Sequence, residues 1–95
     1  MTTATPQQYT SVWDALESDP VIAANLKLRS SLMMEISAFV KNAKLTQAEA
    51  AKKLGTTQPR LNDVLKGKID KCTVDRLVNM LAEVGYRVNL SVEAA

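Results

Sequence analysis

The chain has 95 residues, 46% of them apolar, which sets the scale at one domain with a small core. It has no histidine and a single cysteine, Cys72, so Ser-His-Asp and Cys-His catalysis, imidazole zinc sites and internal disulfides are all excluded. Three glycines and four aromatic residues argue against a glycine-rich nucleotide cradle and a base-stacking platform. No constellation of carboxylates, metal ligands or activated nucleophile supports an enzyme, and no cofactor or metal is expected. With no apolar run long enough to span a bilayer and no basic-then-apolar leader, a cytoplasmic protein without a membrane partner is expected.

The net charge of +2 is unevenly placed. Residues 1–25 carry Asp14, Glu17 and Asp19 and no base, a charge of −3. From Lys27 to Cys72, ten basic residues face four acids, giving +6, and residues 73–95 carry −1. A basic middle between acidic ends fits a surface facing a polyanion, and equally a solvated helical face.

In chain order, residues 1–10 are polar and aperiodic and are expected to be flexible. Ser11 can cap a short helix carrying Val12, Trp13, Ala15 and Leu16, so 11–25 is an N-terminal helix and partner segment with Trp13 and Leu16 as its anchors. Asp19-Pro20 marks a stop and a new start. From about Asn25, Leu28, Leu32, Ile36, Phe39, Val40 and Ala43 form one face of a long helix ending near Asn42. Thr46-Gln47-Ala48-Glu49 has the form of a capping box and opens a helix that stops at Gly55. Thr57 caps the next, Gln58 to about Leu65, ended by Gly67; Thr73 caps a further one ended by Gly85. Tyr86, Val88, Leu90 and Val92 then alternate with polar residues as in a half-buried strand. No second strand is present in the sequence to pair with it, so its expected partner is the same strand of a second copy, a homodimer joined by an intermolecular sheet.

Two short helices joined through Gly55, between Gln47 and Lys66, have the form of a helix-turn-helix. Ala51 is small where the helices cross, and Leu54, Leu61, Val64 and Leu65 supply the locking contacts. At ~100° per residue, the outer face of the second helix carries Pro59, Asn62, Asp63 and Lys66, flanked by Gln58 and Arg60. A polar face of this kind can enter the major groove of DNA.

The run Thr46-Gln47-Ala48-Glu49-Ala50-Ala51-Lys52-Lys53-Leu54-Gly55-Thr56-Thr57-Gln58-Pro59-Arg60-Leu61-Asn62-Asp63-Val64-Leu65-Lys66-Gly67-Lys68 resembles the phage-repressor-like helix-turn-helix family, the XRE or Cro/CI type. The likeness runs from Leu26 to Val84. With Val12-Trp13-Asp14-Ala15-Leu16 ahead of it and a terminal strand behind, the whole looks like the HigA-type antitoxin branch. The resemblance implies an all-α, lambda-repressor-like bundle of about five helices, with one C-terminal β-strand pairing across a dimer. Its helix-turn-helix domain would span 26–85, and 86–95 would be the dimerising strand and tail. It further implies a repressor of its own operon that binds operator DNA and a small basic RNase toxin. Gln47 matches a phosphate-contacting position, Thr57, Gln58 and Asp63 match base-contacting ones, and Asn62, Lys66 and Lys68 lie where backbone contacts are common. Pro59 stands where relatives often have a second base-reading glutamine. Asp63 makes sense near phosphates only if it accepts from a cytosine amino group or pairs with Arg60 or Lys66. Arg60 could contact DNA or merely pair with Asp63. A stand-alone regulator of the same fold, and an interaction module that has lost DNA binding, stay open as alternatives.

Overall fold

The computed structural model describes residues 18–94. The Ser11-capped helix, with Trp13 and Leu16, lies outside them. Among the described residues the architecture is all-helical: α1 (Pro20–Ala43), α2 (Gln47–Lys53), α3 (Gln58–Leu65), a 3-10 turn (Ile69–Lys71) and α4 (Val74–Glu83). The other four expected helices are all among the described residues, joined by this additional turn.

Helix α1 begins earlier than the apolar spacing from Asn25 implies. The Asp19 carboxylate accepts from the Val21 amide at 2.9 Å and the Ile22 amide at 3.4 Å, and Pro20 needs no acceptor at the first position. Val21 and Ile22 are exposed, so the opening turn is fixed by its cap and not by a buried stripe. The stripe proper is Leu32, Met33 and Ile36, with Phe39 and Val40 packed at its edge. Lys44, at φ 56°, turns the chain left-handed at the end of α1, a conformation that disfavours a side chain.

The next three helices close in one way. At the end of α2 the Thr56 amide donates to the Ala51 carbonyl at 3.0 Å and the Gly55 amide to the Lys52 carbonyl at 3.2 Å, the paired bonds of a Schellman ending. The same pair recurs after α3 (Lys68 to Asp63, Gly67 to Val64) and after α4 (Tyr86 to Leu81, Gly85 to Ala82). Each requires a left-handed residue. At Gly55, φ is +67°, and a β-carbon there would also fall 3.0 Å from Cγ of Glu83.

The core lies where α1 packs on α3 and α4 and α2 packs on α3. Ile36, Leu54, Leu61, Leu77 and Leu81 are its fully buried large side chains, each contributing about 1.5–3 kcal/mol relative to exposure. Ala50 and Ala51 are buried, so their small size allows close approach, and Cys72, Met33 and Met80 fill the remainder. Met34, by contrast, is exposed.

The expected strand does not form in the single chain. Residues 86–94 carry no regular secondary structure, because alternation supplies a side-chain pattern while a ladder needs a second extended backbone, and no other described segment provides one. Tyr86 instead sets its ring edge-on to Phe39 of α1, centroids 5.9 Å apart at 89°, and Leu90 and Val92 are more than four-fifths exposed.

Candidate nucleic-acid interface

The helix-turn-helix is α2, the turn through Gly55, and α3. Its first fixed point is the start of α2. The Thr46 hydroxyl accepts from the Glu49 amide at 3.2 Å, while the Glu49 carboxylate accepts from the Thr46 amide at 2.9 Å and its hydroxyl at 3.0 Å. The Thr46 amide first, then its hydroxyl, hold the Glu49 carboxyl below its ordinary range, and Lys53 adds to the effect against slight desolvation. A carboxyl depressed in the folded state stabilises the fold above its unfolded range, and that contribution is lost as pH falls through the folded value. Glutamine can keep the acceptor without titrating. The melting-temperature gap between the native chain and Glu49→Gln is therefore expected to narrow as pH drops into the acid range, as followed by circular dichroism. A gap constant down to that range would remove the charge from the cap.

The capping box places Gln47 at the first position of α2, half-buried. Its Nε2 donates to Oδ1 of Asn62 on α3 at 3.3 Å, linking the two helices on their polar side. Thr57 caps α3, its hydroxyl accepting from the Arg60 amide at 3.3 Å. Leu61 and Val64 turn inward, leaving Gln58, Pro59, Arg60 and Lys66 exposed and Asn62 and Asp63 half-buried.

Asp63 pairs with neither Arg60 nor Lys66. Its carboxylate lies 3.8 Å from Nζ of Lys68. The Schellman ending explains the choice: the Lys68 amide returns to the Asp63 carbonyl at 2.9 Å, so the chain folds back beside Asp63 just where it leaves the helix. Gln47, Asn62, Asp63 and Lys68 are thereby linked in pairs. Thr57, Gln58, Arg60 and Lys66 share the exposed side of α3 without such ties between their side chains.

One supporting residue has no signal in the sequence. Arg29 of α1 donates to the carbonyls of Ile69 at 3.0 Å and Cys72 at 3.3 Å, the ends of the 3-10 turn, and its Nε donates to Asn25 at 2.7 Å. It ties the segment following α3 to the long helix. Its partners are 40 and 43 residues away, and nothing in the local pattern announces them. Cys72 is buried, and its thiol donates to the Lys68 carbonyl at 3.5 Å; burial, first, raises its pKa, so it packs as a small apolar group.

Among the described residues no helix is long and apolar enough to cross a membrane, and no group of three or more Cys, Asp or Glu side chains could hold a metal ion. No curated protein matches the chain. A model of a helix-turn-helix domain family does match, over residues 18–93, which takes in every helix described above and the whole α2–turn–α3 unit. By that match and this geometry, the chain belongs to the helix-turn-helix domain family, a DNA-binding and typically non-enzymatic family.

Proposed function

We propose that the protein is a sequence-specific transcriptional repressor that binds operator DNA as a homodimer and serves as the antitoxin of a toxin–antitoxin pair, repressing its own operon. The observation that carries the DNA part is the exposed polar face of α3, with Gln58, Arg60 and Lys66 on it and Gln47 and Asn62 beside it. Such a face supplies amide and guanidinium donors for base edges and phosphates. The Asp63–Lys68 pair supports this reading over an interaction module, because the acidic group on that face is offset from within the chain.

Homodimerisation is supported by the apolar row Tyr86, Val88, Leu90 and Val92, all exposed in the single chain and spaced for a strand. In this reading the α3 helices of the two copies enter successive major grooves of a partly palindromic site, which lie about 34 Å apart. For the antitoxin role, the −3 charge of residues 1–25 and the apolar Trp13 and Leu16 are complementary to the basic surface of a small RNA-cleaving toxin.

Fluorescence anisotropy of the full chain on its own promoter, over a salt series, tests the DNA reading. Log affinity should fall linearly with log salt as phosphate contacts release counterions. A flat, micromolar response would leave only the interaction module. The toxin part is tested by co-purification with the product of the adjacent reading frame: it should be retained by the native chain and released by the Trp13→Ala, Leu16→Ala double variant. No co-purification with the native chain would leave the stand-alone regulator.

A further inference from the structure

We propose that the cleft between the α2–α3 turn and α4 is an oxyanion site, in which Arg60 and Arg76, with Lys71 beside the adjoining recess, hold one phosphate group. The cleft has a volume of about 410 Å³ and is lined, among others, by Thr56, Arg60, Arg76, Asn79 and Glu83. A smaller recess continues from it, sharing Thr56, Arg60 and Arg76 and adding Lys71 and Cys72.

Two cations, Arg60 from α3 and Arg76 from α4, border both the cleft and the recess, and a third, Lys71 from the 3-10 turn, borders the recess. Among the described residues none of them has an ion-pair partner, and neither guanidinium donates a hydrogen bond from its side chain. Like charges gathered without a paired counter-charge repel one another, and a bound anion reverses the sign of that interaction. The nearby acids do not fill the role. Glu83 lines the cleft beside Gly55 but, like Asp70 near the recess, pairs with none of the three cations, and Asp63 is taken up by Lys68. Guanidinium forks match the oxygens of a phosphate in pairs, and the Thr56 hydroxyl and Asn79 amide stand on the same wall as further donors.

That phosphate can come from the DNA backbone beside α3 or from a free phosphorylated ligand, and the test has an arm for each. Arg76 lies outside the DNA-facing residues named above and is exposed, so Arg76→Gln should keep the fold, checked by its melting curve, and Arg76→Lys restores the charge. In the first arm, promoter and scrambled duplexes are titrated over a salt series. If the phosphate is the DNA's, Arg76→Gln lowers the log–log salt slope by about one on both duplexes, and Arg76→Lys returns most of it. In the second, inorganic phosphate is titrated into the full-length native chain while the Thr56 and Asn79 amide resonances are followed. If the site takes free phosphate, those resonances shift saturably and the response disappears in Arg76→Gln.

A change in either arm supports the site and identifies its source. An unchanged salt slope together with no saturable phosphate response overturns it. The first arm rests on the DNA reading and the second does not. A native chain that binds no duplex at all would sink that reading and still leave the cleft to be decided by inorganic phosphate.

Discussion

Leu61→Ala is expected to lower the free energy of unfolding by about 2–5 kcal/mol, the range for removing a buried leucine from a packed core. Leu61 is completely buried in the middle of α3, against a core that includes Leu54 and Ile36. Helix α3 has only eight residues, too few to persist in water on propensity alone, so it is held by the packing of Leu61 and Val64. Ordinary domains are stable by roughly 5–15 kcal/mol, so this one substitution removes a large part of the margin. Denaturant unfolding should show a lower midpoint with an unchanged slope. Leu65→Ala, at a half-buried position on the same helix, should lose less. A Leu61→Ala loss below about 1 kcal/mol would mean that α3 does not depend on this contact.

Gln58→Ala addresses the other side of the same helix. Its side chain is exposed, and no described residue hydrogen-bonds to it, so stability should be nearly unaffected and a change in DNA affinity can be read directly. Under the proposed function, loss of a bidentate amide contact weakens binding to the promoter site by about 1–3 kcal/mol, roughly 5- to 150-fold, while binding to scrambled duplex barely changes. Lys66→Ala should behave oppositely, weakening both duplexes alike and lowering the salt slope by about one. Equal losses on the two duplexes for Gln58→Ala would remove base readout from Gln58. Pro59, beside it, has neither a backbone N–H nor a polar side chain to offer, which under the proposed function would concentrate readout at the start of α3 on Gln58 and its cap, Thr57.

What could be read in the sequence follows from how local the cause is. Thr46, Thr57 and Thr73 cap helices through bonds to amides three residues on, and Gly55, Gly67 and Gly85 end them in left-handed backbone, so residue type and short spacing carry the information. The inward face of α3 was legible for the same reason. Features set by distant or unusual partners were not. The left-handed Lys44 closes α1 without a glycine, and the 3-10 turn at Ile69–Lys71 is too short to show a period. The start of α1, by contrast, was signalled by Asp19-Pro20, ahead of the apolar spacing that begins near Asn25. Asp63 meets Lys68 because of a backbone reversal, where helical spacing points to residues three or four away. The terminal alternation reports a strand's side chains but not the backbone that must lie next to it.

The bond between Gln47 and Asn62 has an entropic consequence. Two long polar side chains are already restrained before any partner arrives, so part of the rotamer freedom that binding would remove has been surrendered on folding. It also divides their remaining capacity: with Asn62 Oδ1 occupied as an acceptor, its amide nitrogen is left as a donor, of the kind that suits phosphate oxygens or the acceptor edge of guanine. The two residues then act as one preorganised unit. Removing either one frees the other, and the effects of the single substitutions should not add.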